Sequence, residues 1–195
     1  MTSKNFTVKY RRRRESKTDY KLRRTLLASG IPRLVIRKSL NNFNIQIYNF
    51  DLIGDKVLAA AHSKDLIKEG WKYSGSDYPA AYLTGLLCGA KAKKAGVKKV
   101  IVDFGLYRVV KRSKLFAAVK GVLDAGIDVV CSKEVLPSEE TCSGKAIAYY
   151  AKLLFVENAE KYKKQFSNYL KKSIKPEDIQ KVFSKVKEDI LNKKW

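Results

Sequence analysis

"RLVIRKSLNNFNIQIYNFDLIGDKVLAAAH", residues 33–62, decides the fold. Three short β-like runs stand in it, "RLVIRKS" (33–39), "IQIYNF" (45–50) and "KVLAAAH" (56–62), parted by the turn-forming "LNNFN" and "IGD". Strands joined by such tight turns predict an antiparallel meander.

Downstream, Asp77 and Pro79 open a helix that runs to about Ala95. Its small residues Ala80, Ala81, Thr84, Gly85, Cys88, Gly89 and Ala92 predict close approach to a sheet, and the Gly85-x-x-x-Gly89 spacing reads as tight helix packing. Lys91, Lys93 and Lys94 complement the dipole at its end, and Gly96 stops it. "KKVIVDFG" (98–105) is a nearly continuous apolar run, which predicts a central strand covered on both faces. A second helix is expected from about Lys111 to Ala125, with Leu115, Phe116, Val119, Val122 and Leu123 at helical spacing, followed by a last strand, "IDVVC" (127–131). The order β-β-β-α-β-α-β predicts an α/β fold, a mixed sheet with helices on its faces and the strand order of ribonuclease H-like folds.

Upstream, the first ten residues lack periodicity and read as an extended arm. "SKTD" (16–19) has helix-start spacing, Tyr20, Leu22, Leu26 and Leu27 form a partial apolar stripe, and Gly30 and Pro32 end the helix. From Gly144 onward the chain reads as helices, with Pro176, Glu177 and Asp178 suited to a helix N-terminus. The expected organisation is a basic arm and helix (1–32), an α/β core (33–142) and a loosely attached helical C-terminal extension (143–195).

The 195 residues hold 41 Lys and Arg against 19 Asp and Glu, a formal charge of +22. Self-repulsion on that scale calls for a polyanionic partner, nucleic acid first and an anionic membrane second. Cys88, Cys131 and Cys142 are odd in number and far apart, and His62 is the sole histidine, so neither a disulfide framework nor a zinc site is expected. No apolar segment follows the arginines as in an export signal, and "AAYLTGLLCGA" (80–90) is too short to span a bilayer. A soluble, cytoplasmic chain is expected.

Catalytic patterns are thin. "DFG" (103–105) lacks the glycine-rich loop and H-R-D of a kinase and reads as a strand end with a turn glycine. No phosphate-binding or dinucleotide-binding glycine motif occurs. His62 has no nucleophile of recognisable context beside it and reads as a core or edge histidine. Asp51 and Asp103 at strand ends raise the alternative of a metal-dependent nuclease on the same topology. No third acid accompanies them, and both are expected to serve turns. No cofactor, metal or small-molecule substrate is expected.

What remains is positive charge interleaved with aromatics. Residues 9–24 hold nine Lys or Arg (Lys9, Arg11, Arg12, Arg13, Arg14, Lys17, Lys21, Arg23 and Arg24) and two acids, with Tyr10 and Tyr20 near the ends. Arginine forks bind phosphate bidentately and tyrosine rings stack on unpaired bases. Further clusters stand at Arg33, at Arg37 and Lys38, and in "YRVVKRSK" (107–114), which holds Arg108, Lys111, Arg112 and Lys114. With no helix-turn-helix, basic-zipper or zinc-finger pattern, RNA is favoured over DNA.

"YRRRRESKTDYKLRR", "RLVIRKS", "AAYLTGLLCGAKAKKAG", "VIVDFGL" and "LFAAVKGVLDAGIDV" together resemble the universal large-subunit ribosomal protein eighteen family. The archaeal-type members look closest, and the eukaryotic counterpart carries the family number five. The match runs in order over roughly residues 5–150, while the C-terminal tail matches only in character. "VVKRSKL" stands where the family tends to have a small glycine-containing turn, and "SEETCSG" where it often places a basic residue. The resemblance implies a ribonuclease H-like α/β domain without catalysis that binds 5S ribosomal RNA in the central protuberance. It further implies contact with large-subunit ribosomal RNA and neighbouring ribosomal proteins, with the basic N-terminal segment inserted into RNA. That role falls on Tyr10, Arg11, Arg12, Arg13, Arg14, Lys17, Tyr20, Arg23 and Arg24, with Arg33, Arg37 and Lys38 as additions.

Overall fold

The computed structural model describes residues 7–193, so the first six residues of the expected arm lie outside it. The four arginines form a single exposed helical turn, α1 (Arg11–Arg14). The next helix, α2 (Tyr20–Leu27), begins at Asp19 and not at Ser16. Ser16 takes φ +51°, which breaks the helical path, and the Asp19 carboxylate caps α2 by accepting from the Lys21 and Leu22 amides at 2.9 and 3.1 Å.

The meander forms as expected: β1 (Arg33–Lys38), β2 (Phe43–Asn49) and β3 (Lys56–His62). β1 pairs antiparallel with β2, Leu34 opposite Ile47 and Ile36 opposite Ile45. β2 pairs antiparallel with β3, with a register shift at Ile47 and Tyr48. After α3 (Tyr78–Lys94), β4 (Lys99–Asp103) lies parallel to β1, and after α4 (Lys114–Asp124), the two-residue β5 (Asp128–Val129) lies parallel to β4. The strand order is β3-β2-β1-β4-β5.

Three local expectations are corrected. α4 starts at Lys114 because Arg112 takes φ +59°, closing a turn in which its amide donates to the Val135 carbonyl at 2.8 Å. β5 shrinks because only Asp128 and Val129 find a partner on β4. The central strand β4 is covered by helix on one face only. Period-two alternation sends Leu34, Ile36, Phe43, Ile45, Ile47 and Val100 into one core with α3 and α4, while Arg33, Asp103 and the half-buried Ile101 point the other way.

The small residues of α3 serve both expected contacts, tight helix packing at the two glycines and close approach to the sheet at Cys88. A Cβ on Gly85 would stand 2.1 Å from the Ala118 carbonyl oxygen, and one on Gly121 would stand 2.1 Å from that of Tyr82. Gly85 and Gly89 therefore face α4, and the two helices meet backbone to backbone. Cys88 points instead at the sheet, its Sγ 3.6 Å from the Ile45 carbonyl.

The C-terminal part comprises α5 (Glu139–Cys142), α6 (Lys145–Glu157), α7 (Ala159–Gln165), α8 (Ser167–Leu170) and α9 (Ile179–Asn192). It is not loosely attached. Ile179, Phe183, Val186 and Ile190, at helical spacing along α9, are buried in the main core, and the Phe183 ring lies 5.4 Å from that of Tyr82. Ala151 and Leu154 on α6, Tyr162 on α7 and Phe166 between α7 and α8 form a second small cluster. It is tied in by Tyr73, which donates to the Lys175 carbonyl at 2.9 Å, and by Tyr169, whose hydroxyl accepts from the Ser74 amide at 3.3 Å. No helix among the described residues is long and apolar enough to cross a membrane.

Candidate nucleic-acid interface

With α3, α4 and α9 on one face, the other face of the sheet lies open to the N-terminal segment. Between them is a polar cleft of about 290 Å³ lined on one side by Arg12, Lys17 and Arg23 and on the other by Arg33, Arg37 and Tyr48. The floor is an ion-pair network. Arg33 donates from Nη1 to Asp103 Oδ2 at 2.9 Å and from Nη2 to Asp55 Oδ2 at 2.5 Å. Arg23, on α2, donates to the same Asp55 oxygen at 2.9 Å. Arg37 donates from Nη2 to Asp103 Oδ1 at 3.3 Å and from Nη1 to the Asp103 carbonyl at 2.9 Å. The network leaves Arg33 Nε and Asp55 Oδ1 buried without a hydrogen-bond partner.

Arg33 is only 5% exposed, so its guanidinium is committed to two carboxylates and does not face solvent. Asp103 does more than serve a turn: besides accepting from the Gly105 amide at 2.7 Å, its two oxygens are held by Arg33 and Arg37. Asp51 does sit in a turn, paired with Lys56 at 2.6 Å, and that partner holds its carboxyl below the usual range. Among the described residues no group of three His, Cys, Asp or Glu side chains is placed to hold a metal ion. His62 caps the 3-10 turn Ser63–Ile67 through Nδ1, which accepts from the Lys64 amide at 3.1 Å.

The remaining basic residues divide into two groups. Lys9, Arg11 to Arg14, Lys17 and Arg24 are exposed along the N-terminal segment. Glu15 lies 3.8 Å from Arg11 and 2.9 Å from Lys17, exposed pairs that salt and solvent weaken. Arg12, which lines the cleft with Thr18, donates from Nε to the Thr18 hydroxyl at 2.9 Å. The rings of Tyr10 and Tyr20 meet at a tilt of 47°, centroids 5.1 Å apart, and so bracket the arginine turn.

The second group surrounds the C-terminal end of β1. The Tyr107 hydroxyl donates to the Lys38 carbonyl and accepts from the Lys38 amide at 3.2 Å, fastening the loop that carries exposed Arg108 and Lys111 beside Arg37 and Lys38. Arg112 is exposed, whereas Lys114 is engaged internally, 3.7 Å from Asp77 and 3.1 Å from the Ser76 carbonyl. Sequence reasoning missed Asp55 and Tyr107. A lone acid in a hairpin and a lone tyrosine in a basic loop carry no local signal, because their partners lie 22 to 69 residues away.

The α/β scaffold thus carries a basic appendage over one sheet face, and the acids at the centre of that face are paired with arginines. Residues 4–99 match the family described as ribosomal large subunit proteins 60S L5 and 50S L18. Over 187 residues, 96% of each chain, the sequence is 50% identical to the large ribosomal subunit protein uL18 of Methanococcus maripaludis. The chain belongs to this family, whose members are structural ribosomal proteins and not enzymes.

Proposed function

We propose that this protein is a structural constituent of the cytoplasmic large ribosomal subunit that binds 5S ribosomal RNA and helps attach it in the central protuberance. The observation that carries the reading is the placement of Lys9, Arg11 to Arg14, Lys17 and Arg24, exposed together on one segment that overhangs the open sheet face. Phosphates meet this row of guanidinium forks and ammonium groups. Lys38, Arg108, Lys111 and Arg112 at the end of β1 extend the contact to a second stretch of RNA, while Arg23, Arg33 and Arg37 shape the cleft between them. Large-subunit ribosomal RNA and neighbouring ribosomal proteins are the further partners. The strand order β3-β2-β1-β4-β5, with β2 alone antiparallel to both neighbours, supports kinship with ribonuclease H-like folds.

The test is binding of the purified chain to a panel of structured RNAs of similar length. Preference for 5S RNA, lost on deletion of residues 1–14, is the expected result. Equal affinity for every RNA, or full affinity after the deletion, would refute the assignment.

A further inference from the structure

We infer that Asp55 is a positioning residue for RNA binding, a clamp that fixes α2 and the arginine turn over the sheet. α2 buries none of its residues fully, and with Tyr20, Leu26 and Leu27 only half-buried, apolar packing holds it weakly. A single oxygen of Asp55 instead accepts from Arg23 on α2 at 2.9 Å and from Arg33 on β1 at 2.5 Å. Asp55 lies just before β3, at the foot of the β2–β3 hairpin, so this one carboxylate joins helix, hairpin and central sheet. Its side chain is only 15% exposed, where a charge-assisted hydrogen bond is far less weakened by solvent than the pairs at Glu15. Arg33 is in turn held by Asp103, so the anchor under the clamp is rigid.

The inference rests on the RNA-binding reading above and reverses the sign of a simple charge argument. On a chain of net charge +22, removing an acid raises the attraction for a polyanion. If Asp55 is a clamp, removing it frees the arginine segment, and RNA must then bear the entropy of ordering it.

The experiment compares Asp55→Asn, Arg23→Gln and Arg24→Gln in the full chain. Arg24 lies one residue along the same helix, exposed, and its loss matches that of Arg23 in charge. Amide exchange is followed by mass spectrometry in residues 20–27 and 33–62 without RNA, alongside 5S RNA affinity and thermal unfolding. Asp55→Asn and Arg23→Gln are expected to speed exchange in 20–27 and not in 33–62, and to weaken RNA binding roughly tenfold, the scale of one lost charge-assisted hydrogen bond. Arg24→Gln is expected to leave exchange alone and weaken binding less than Arg23→Gln does. Where Asp55→Asn unfolds the body, Arg23→Gln decides, because it leaves Arg33 paired with both acids. Unchanged exchange in 20–27, or Asp55→Asn binding RNA as tightly as the wild type or tighter, overturns the clamp. Salt-insensitive RNA binding by the wild type would instead refute the RNA reading, and the exchange data would still judge the clamp.

Discussion

Replacing Arg12, Arg13 and Arg14 by Gln measures how much of the RNA contact the N-terminal segment carries. Exposed cations of residues 7–38 without a carboxylate partner are Lys9, Arg12, Arg13, Arg14, Lys21, Arg24 and Lys38. If each neutralises one phosphate, log K falls against log salt with a slope of about −5 for single strands to about −6 for duplex. Affinity then drops about 10³- to 10⁴-fold between about 50 and 200 mM salt. Removing three of these cations should flatten the slope by about 2 to 3 units. The assay is fluorescence anisotropy of labelled 5S RNA across a salt series. The control is Lys161, Lys163 and Lys164 to Gln, which removes the same charge from exposed positions of α7. It should weaken binding slightly through the long-range field and leave the slope nearly unchanged. Equal flattening by both triples would refute the reasoning, since the RNA would then be sensing net charge and not this segment.

Gly121→Ala should destabilise the free chain by about 2 kcal/mol in urea unfolding, because overpacking at the upper end of its usual range, about 3 kcal/mol, outweighs roughly 1 kcal/mol of helix propensity. Gly54→Ala, where nothing lies within 4 Å of the new Cβ, should be neutral, and a neutral Gly121→Ala would disprove the backbone contact between α3 and α4. Phe183→Ala should cost about 3–5 kcal/mol, whereas no loss would show that α9 is not part of the core. Burial pushes the Cys142 thiol from an ordinary 9.0 up to about 11 and the Cys88 thiol up to about 12. The folded state therefore keeps protons that the unfolded state releases first. This contribution is intact below pH 9.0 and is lost as pH rises through about 11 and then about 12, so urea midpoints should fall over that range. At neutral pH a thiol reagent should modify half-buried Cys131 before either of the others, and early labelling of Cys88 or Cys142 would contradict their burial.

The strands, both core helices and the basic N-terminal segment were legible in the sequence because each is a local pattern. Period-two alternation in 33–62, a 3.6 period in 114–124 and an uninterrupted arginine run need only neighbours to be recognised. Net charge alone called for a polyanion, and the ordered set of segments such as "VIVDFGL" pointed to the family. The tertiary structure decided the rest, wherever a residue's role depends on a distant partner. Arg33 reads as one more surface cation until β1 and β4 pair and set it beside Asp103, 70 residues on. The amphipathic face of α9 shows in its sequence, but not that Tyr82 on α3 receives Phe183. Gly85 and Gly89 announce a close approach without naming α4 as the partner. A lone aspartate in a hairpin becomes the link between helix and sheet only when folding brings two arginines to one of its oxygens. Ion pairs and backbone contacts across the fold leave no periodic trace in the chain, because hydrophobic burial sets the period of each element while the side chains between elements meet only after those elements have packed.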